Sequence, residues 1–110
     1  MGISSTPEGR LAIEFSKLVV AGRYQEAYGH LSPAAQQEWK AEALKKHFDD
    51  MTGYFESSSP TVSEEYAMET FSNEKGRFIY VPIVGDGESE AIIVGINKEN
   101  EIFSVEFGRP

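Results

Sequence analysis

The spacing of hydrophobic residues changes once along the chain, near Gly53. Before this point apolar residues recur every three or four positions, as at Leu11, Phe15 and Leu18, which is typical of helices with one apolar face. After it, apolar and polar residues alternate, which is typical of half-buried strands. Helices followed by strands predict an α+β domain in which the helices pack on one antiparallel sheet.

About three helices are predicted in the first half. Thr6 offers a hydroxyl N-cap and Pro7 is permitted in a first turn, so the first helix starts there. Pro33 disfavours a helical conformation at Ser32 and opens a new helix itself. The predicted helices cover residues 7–21, 23–30 and 33–52, the last with a bend at 40–42.

About four strands are predicted in the second half, over residues 62–71, 77–84, 88–96 and 101–107. Short turns between them indicate an antiparallel meander. Pro82 has no amide donor, so we expect an edge position or a bulge on the second of these strands. Residues 91–96 are apolar at every position except Gly95, which predicts a strand covered on both faces.

The composition indicates one small domain over residues 1–110, with residues 1–6 expected to be flexible. Hydrophobic residues make up 40% of the chain, which is too many for a disordered protein. The chain has no cysteine, which excludes disulfides, thiol nucleophiles and zinc–thiolate sites. No apolar run approaches the ~18 residues of a membrane span.

The net charge of −8 is unevenly distributed. Residues 1–55 carry six basic and seven acidic side chains, whereas residues 56–110 carry four and eleven. Such a charge repels phosphate backbones and anionic lipids, so we expect neither a nucleic acid nor a membrane as partner. The N-terminal residues lack the basic and apolar regions of a secretion signal, so a cytoplasmic location is expected.

The stretch FSKLVVAGRYQEAYGHLSP at residues 15–33 resembles the opening of nuclear transport factor two-like domains, which belong to the cystatin-like superfold. In that group a first helix ends in a Gly–charged–Tyr–x–x–Ala step, and a short second helix runs into Leu–Ser/Thr–Pro. The chain looks most like small bacterial members of the group that have no assigned activity. The resemblance implies a cone-shaped roll in which about three helices pack on a bent antiparallel sheet of about four strands. It implies no single activity because this fold hosts both enzymes and binding modules.

The resemblance also implies a pocket inside the cone, in which acid–base groups lie among apolar side chains. Candidate catalytic residues are His47, Asp50, Tyr66 and Tyr80. His47 and Asp50 share one side of a helix, but a solvent-exposed polar stripe, which needs no chemistry, is the favoured explanation for them. The candidate pocket residues are Phe15, Trp39, Phe48, Tyr54, Phe55, Tyr66 and Tyr80.

The last two strands are candidates for self-association, because a sheet with two apolar faces has helices to cover only one of them. The candidate dimer residues are Ile92, Val94, Ile96, Phe103 and Val105. The aromatic residues of the second half also have a plain interpretation, since a small domain must bury large side chains to fold.

Neither a metal nor a cofactor is expected. His30 and His47 lack metal-ligand spacing, and Gly85-Asp86-Gly87 lies between strands, where it forms a hairpin turn. The leading hypothesis is a non-catalytic domain that dimerises and binds a small apolar ligand or a protein partner. The alternatives are an acid–base enzyme of the isomerase, dehydratase or hydrolase kind that acts on a hydrophobic ligand, and a module that uses its acidic half to bind a protein.

Overall fold

The computed structural model describes residues 5–56 and 59–108, in which four helices precede five strands. The predicted α+β class is confirmed, with one more helix and one more strand than expected. Residues 1–4 of the predicted flexible start and residues 57–58 of the predicted loop lie outside the described residues. The elements are α1 (Pro7–Val20), α2 (Tyr24–Gly29), α3 (Pro33–Glu38), α4 (Ala41–Thr52), β1 (Thr61–Val62), β2 (Met68–Asn73), β3 (Gly76–Val84), β4 (Ser89–Ile96) and β5 (Ile102–Phe107).

α1 begins and ends where local sequence signals place its ends. Thr6 Oγ1 accepts a hydrogen bond from the Gly9 N–H at 2.9 Å, and Pro7 occupies the first turn, where no amide donor is needed. After the helix, Gly22 adopts a φ of 80°, which turns the chain into α2. The bounds of α1 therefore follow from its N-cap Thr6 and from the turn at Gly22.

The bend expected at residues 40–42 is a break between α3 and α4. Trp39 and Lys40 are extended, with φ and ψ of −115° and 113° at Trp39. Local helix propensity does not require this break. The extended conformation lets the Trp39 ring pack against Phe107 of β5, with ring centroids 5.6 Å apart. The predicted third helix is therefore divided at Trp39, the residue whose ring makes this tertiary contact.

The sheet is antiparallel with the order β1-β3-β4-β5, and β2 also pairs with β3. β1 and β2 lie along the same edge of β3, separated by a single 3-10 turn at Glu64–Tyr66. The prediction of one continuous strand over residues 62–71 is therefore wrong. The alternating pattern continues through the turn, but Ala67 is buried at its end, and this tertiary burial overrides the local pattern.

Pro82 occupies the point at which the neighbouring strand leaves β3. Its carbonyl accepts a hydrogen bond from the Ser63 N–H at 2.9 Å, so its nitrogen faces the same side of the strand. The 3-10 turn interrupts the pairing on that side, so no strand requires an amide donor there. Pairing along this side of β3 is therefore interrupted at Pro82, as expected for a residue without an amide donor.

The inner face of the sheet packs against the helices. Phe15 and Val19 of α1, with Leu44 and Phe48 of α4, are buried in one core with alternate residues of the three long strands. The strand residues of this core are Ile79, Val81, Ile83, Ile92, Val94, Ile96, Ile102 and Val105. The helical layer therefore covers this face, and the other face of the sheet lies away from the helices.

Candidate functional site

Alternation along β3 divides its side chains between the two faces of the sheet. Ile79, Val81 and Ile83 belong to the core, so Phe78 and Tyr80 point to the outer face. Residues directly opposite one another in neighbouring strands share a face. Register with β3 therefore places Phe71 and Met68 of β2 on the outer face, since they pair with Phe78 and Tyr80 respectively.

Three phenylalanine rings form a row across the outer face. The ring centroids of Phe71 and Phe78 are 5.5 Å apart, and those of Phe78 and Phe103 are also 5.5 Å apart. The row crosses β4 at Gly95, which pairs with Phe78. A Cβ atom at Gly95 would lie 2.9 Å from Phe78 Cε2, so only glycine leaves room for the row.

This row explains how β4 is covered on both faces. The helices cover the inner face of β4, as predicted, whereas aromatic side chains of the neighbouring strands cover its outer face at Gly95. Ile93, which lies between Tyr80 and Glu106 in register, is only 8% exposed. Within the described residues, the outer face of β4 is therefore covered by side chains of neighbouring strands and not by another helix or sheet.

The outer face leaves large apolar side chains in contact with solvent. We refer to six residues of this face as the outer-face patch: Met68, Phe71, Phe78, Tyr80, Ile93 and Phe103. Met68 and Phe71 are both 55% exposed, although they lie beside partly buried aromatic rings. Single exposed apolar residues are ordinary, whereas large contiguous apolar patches are found at interaction surfaces.

Charged side chains surround the outer-face patch without entering it. Glu106 pairs with Ile93 in register at one side, and the turns that carry Lys75 and Lys98 border Phe103. Arg77 points to the inner face, where it forms ion pairs with Glu69 and with Glu8 of α1. An apolar centre with a charged rim is the usual arrangement of a protein–protein interface.

The predicted dimer residues divide between the two faces. Phe103 lies on the outer face, whereas Ile92, Val94, Ile96 and Val105 are buried in the core beneath the helices. Sequence reasoning placed the candidate interface on the last two strands and did not name Met68, Phe71 or Phe78 among its residues. Alternation in β3, where Arg77 marks the opposite face, could have found Phe78. It could not have placed Met68 and Phe71 together, because a register shift between Glu69 and Phe71 brings these two residues to one face.

The candidate catalytic residues have different neighbours. The His47 ring contacts Trp39 at 4.8 Å, whereas the Asp50 carboxylate accepts a hydrogen bond from Lys46 Nζ at 2.9 Å. Tyr66 lies in the 3-10 turn and is 68% exposed, and Tyr80 lies in the outer-face patch. The structure therefore does not bring these four groups around one cavity.

The candidate pocket residues are also dispersed. Phe15 and Phe48 fill the core, and Trp39 packs at the break between α3 and α4. Tyr54 and Phe55 contact each other at 5.1 Å after α4, where the Tyr54 hydroxyl donates a hydrogen bond to Glu90 Oε2. The space predicted for a ligand at Phe15 and Phe48 is therefore filled by their own side chains.

Ionisable groups with shifted pKa values lie between α2 and α4, on the helical layer. Burial, with a contribution from the Asp49 carboxylate, raises the pKa of the Tyr24 phenol. The hydrogen bond to Asp49 raises the pKa of Lys45, and the hydrogen bond to Asp50 does the same for Lys46. These shifts arise from ordinary helix contacts and indicate no catalytic group.

Within residues 5–56 and 59–108, no three His, Asp or Glu side chains are grouped so that they could hold a metal ion. Over the same ranges, each helix is too short or too polar to cross a bilayer. The outer-face patch is thus the feature of the described chain that most resembles a binding site. Comparison with known protein families, curated proteins and solved structures found no match to the chain.

Proposed function

We propose that the protein is a non-catalytic binding domain of the nuclear transport factor two-like type, and that it forms a homodimer through the outer-face patch. The observation that carries this proposal is the exposure of Met68 and Phe71 beside the row of phenylalanine rings. The helical layer covers only the inner face, so a second sheet is a suitable cover for the outer one.

The hydrophobic effect supports this proposal. Burying apolar surface contributes about 25 cal/mol per Å², and aromatic side chains provide much of that area in interfaces. In the monomer, more than half of Phe71 and of Met68 remains in water, so neither residue gains the full free energy of burial. A twofold arrangement lets one patch cover an identical patch on the second copy.

The sheet face can supply the centre of a dimer interface. Four strands about 4.8 Å apart give a face about 15 Å wide, and strands of six to nine residues give it a length of about 20–30 Å. The resulting area of about 300–450 Å² is about half of the ~800 Å² that stable interfaces bury on each partner, so the turns around the face must also take part. The apolar patch would supply the centre of such an interface, and the charged turns around it would supply the rim.

The enzyme alternative has no arrangement of residues in its favour. His47 contacts aromatic rings, and Asp50 is paired with Lys46. General acid–base catalysis requires such groups to converge on a substrate. We therefore propose a binding role, with a protein partner other than a second copy as the outcome to be distinguished by experiment.

The test is the molar mass in solution, measured by light scattering after gel filtration at micromolar concentration. We expect the wild-type protein to have twice the monomer mass of 12.2 kDa. Phe71→Lys should give the monomer, because a lysine on the patch opposes burial while it reduces the net negative charge. Loss of the dimer therefore cannot be attributed to added acidic repulsion.

Tyr54→Lys is the matched control. Tyr54 is 53% exposed, close to the exposure of Phe71, but it follows α4 and contacts Phe55. This variant should remain a dimer. A monomeric wild-type protein would overturn the dimer, and a dimer that Phe71→Lys leaves intact would show that another surface mediates association.

A further inference from the structure

A groove follows the side of α1 that faces β1 and the 3-10 turn. Its first compartment, about 460 Å³, is lined by Lys17, Val20, Ala21, Ser59, Pro60, Thr61 and Val62. Its second compartment, about 450 Å³, is lined by Arg10, Ile13, Glu14, Lys17 and Glu64. Lys17 lines both, so the two compartments form one feature, which we call the α1 groove. Each volume lies within the ~300–1,000 Å³ of small-molecule sites, and both compartments are widely open to solvent.

The Lys17–Glu64 ion pair lies where the two compartments meet. Its side chains are 52% and 49% exposed. Exposed ion pairs contribute little to stability, because water solvates the separated charges well. A ligand anion can therefore replace the Glu64 carboxylate on Lys17 without disrupting the fold.

The first compartment has an amphipathic lining. Among the described residues that line it, Lys17 alone is charged, and Val20, Ala21, Pro60 and Val62 provide apolar surface. Once a ligand anion displaces the Glu64 carboxylate, the Lys17 ammonium beside these apolar side chains favours an anionic head group joined to a hydrocarbon tail.

The second compartment does not share this preference. Its cations, Arg10 and Lys17, are balanced by two anions, Glu14 and Glu64. An anion bound there would meet both carboxylates. The charge pattern therefore places the head group at Lys17 and the tail toward Val20 and Val62.

We propose that the α1 groove binds a carboxylic acid with a short aliphatic chain. The ligand carboxylate takes the place of Glu64 on Lys17, and the chain lies against Val20, Pro60 and Val62. Binding exchanges one exposed ion pair for another and adds the burial of the hydrocarbon chain, which provides the driving force. This site lies on the helical side of the sheet and does not depend on the proposed dimer.

Octanoate is the probe, and two-dimensional NMR of the labelled full-length protein is the readout. Titration should give saturable shifts at the methyl groups of Val20 and Val62 and at the Ala21 amide. Octanol, which has the same chain without the charge, should bind about tenfold more weakly, because it lacks the charge-assisted contact. Absence of saturable shifts at these residues would overturn the proposal.

Paired variants separate this contact from general effects of charge. Lys17→Met should weaken octanoate binding about tenfold, whereas Lys45→Met, which removes an ion-paired lysine of α4, should leave it unchanged.

Glu64→Gln should strengthen binding about two- to fivefold, because it removes the competing carboxylate. Glu65→Gln changes the net charge equally and should have no such effect. Equal effects of the two glutamate variants, or no effect of Lys17→Met, would refute the assignment.

Discussion

The ring of Phe78 lies across Gly95, its partner in the register between β3 and β4. A Cβ atom at Gly95 would lie 2.9 Å from Phe78 Cε2 and 2.9 Å from Ser104 Cβ. The aromatic row on the outer face is therefore continuous because residue 95 is glycine and has no side chain. The stability of the sheet and the shape of the proposed interface depend on the same position.

Gly95→Ala should destabilise the protein by about 1–3 kcal/mol, the usual cost of an added methyl group in a packed region. The free energy of unfolding from urea denaturation checks this value. Gly29→Ala is the control, because nothing lies within 4 Å of a Cβ at that helical position, and alanine favours helix. Equal stability of Gly95→Ala and wild type would show that Phe78 moves aside freely.

Higher ionic strength should leave the dimer unchanged or strengthen it. Each copy carries a net charge of −8, and salt screens repulsion between copies as the Debye length falls from ~10 Å at 0.1 M to ~3 Å at 1 M. The apolar centre at Phe71 is not weakened by salt. Sedimentation equilibrium at several salt concentrations gives the dissociation constant. A steep weakening would instead favour association through the acidic half of the chain.

Ser32→Ala should lower the free energy of unfolding by about 1 kcal/mol, because it removes the N-cap of α3. The Ser32 hydroxyl accepts a hydrogen bond from the Ala35 N–H at 3.2 Å, and Ser32 is 6% exposed. Its own N–H donates to the Ile102 carbonyl, a bond that alanine retains. Thermal unfolding measures the loss, and Ser32→Thr should keep most of the cap. A loss shared equally by both variants would assign the effect to packing.

Stability should fall as the pH rises above about 10. The pKa of Tyr24 is raised in the folded state, first by burial and then by Asp49, so the folded state retains its proton after the unfolded state has lost it. Folding is therefore disfavoured increasingly through this range and is not affected by Tyr24 at lower pH. Tyr24→Phe should have a shallower decline, measured by urea denaturation at pH values from about 9 to about 11. Identical slopes would exclude Tyr24 as the source.

The order of elements could be predicted from the sequence because its signals are local. Thr6 caps α1 and Pro7 occupies its first turn, as the pattern predicts, and Gly22 lies in the turn that follows the helix. The break at Trp39 was predicted only as a bend, since its ring contact with Phe107 joins residues far apart in the chain. Local patterns do not contain such contacts.

The face of the sheet that meets solvent could not be predicted from β4. Ile92 and Ile93 are both large and apolar, yet the first lies in the core and the second on the outer face. The sequence pattern is the same for either assignment, because a one-residue shift exchanges the faces. The polar residues of β2 and β3 identify the faces, but only once their register with each other is known.

The contact of Trp39 with Phe107 provides a built-in optical reporter. Trp39 is the single tryptophan of the chain, and it joins the helical half to the last strand of the sheet. Its fluorescence in a folding experiment therefore reports the docking of the two halves, while circular dichroism reports the helices. Coincidence of the two signals would show that helices and sheet form in one cooperative step.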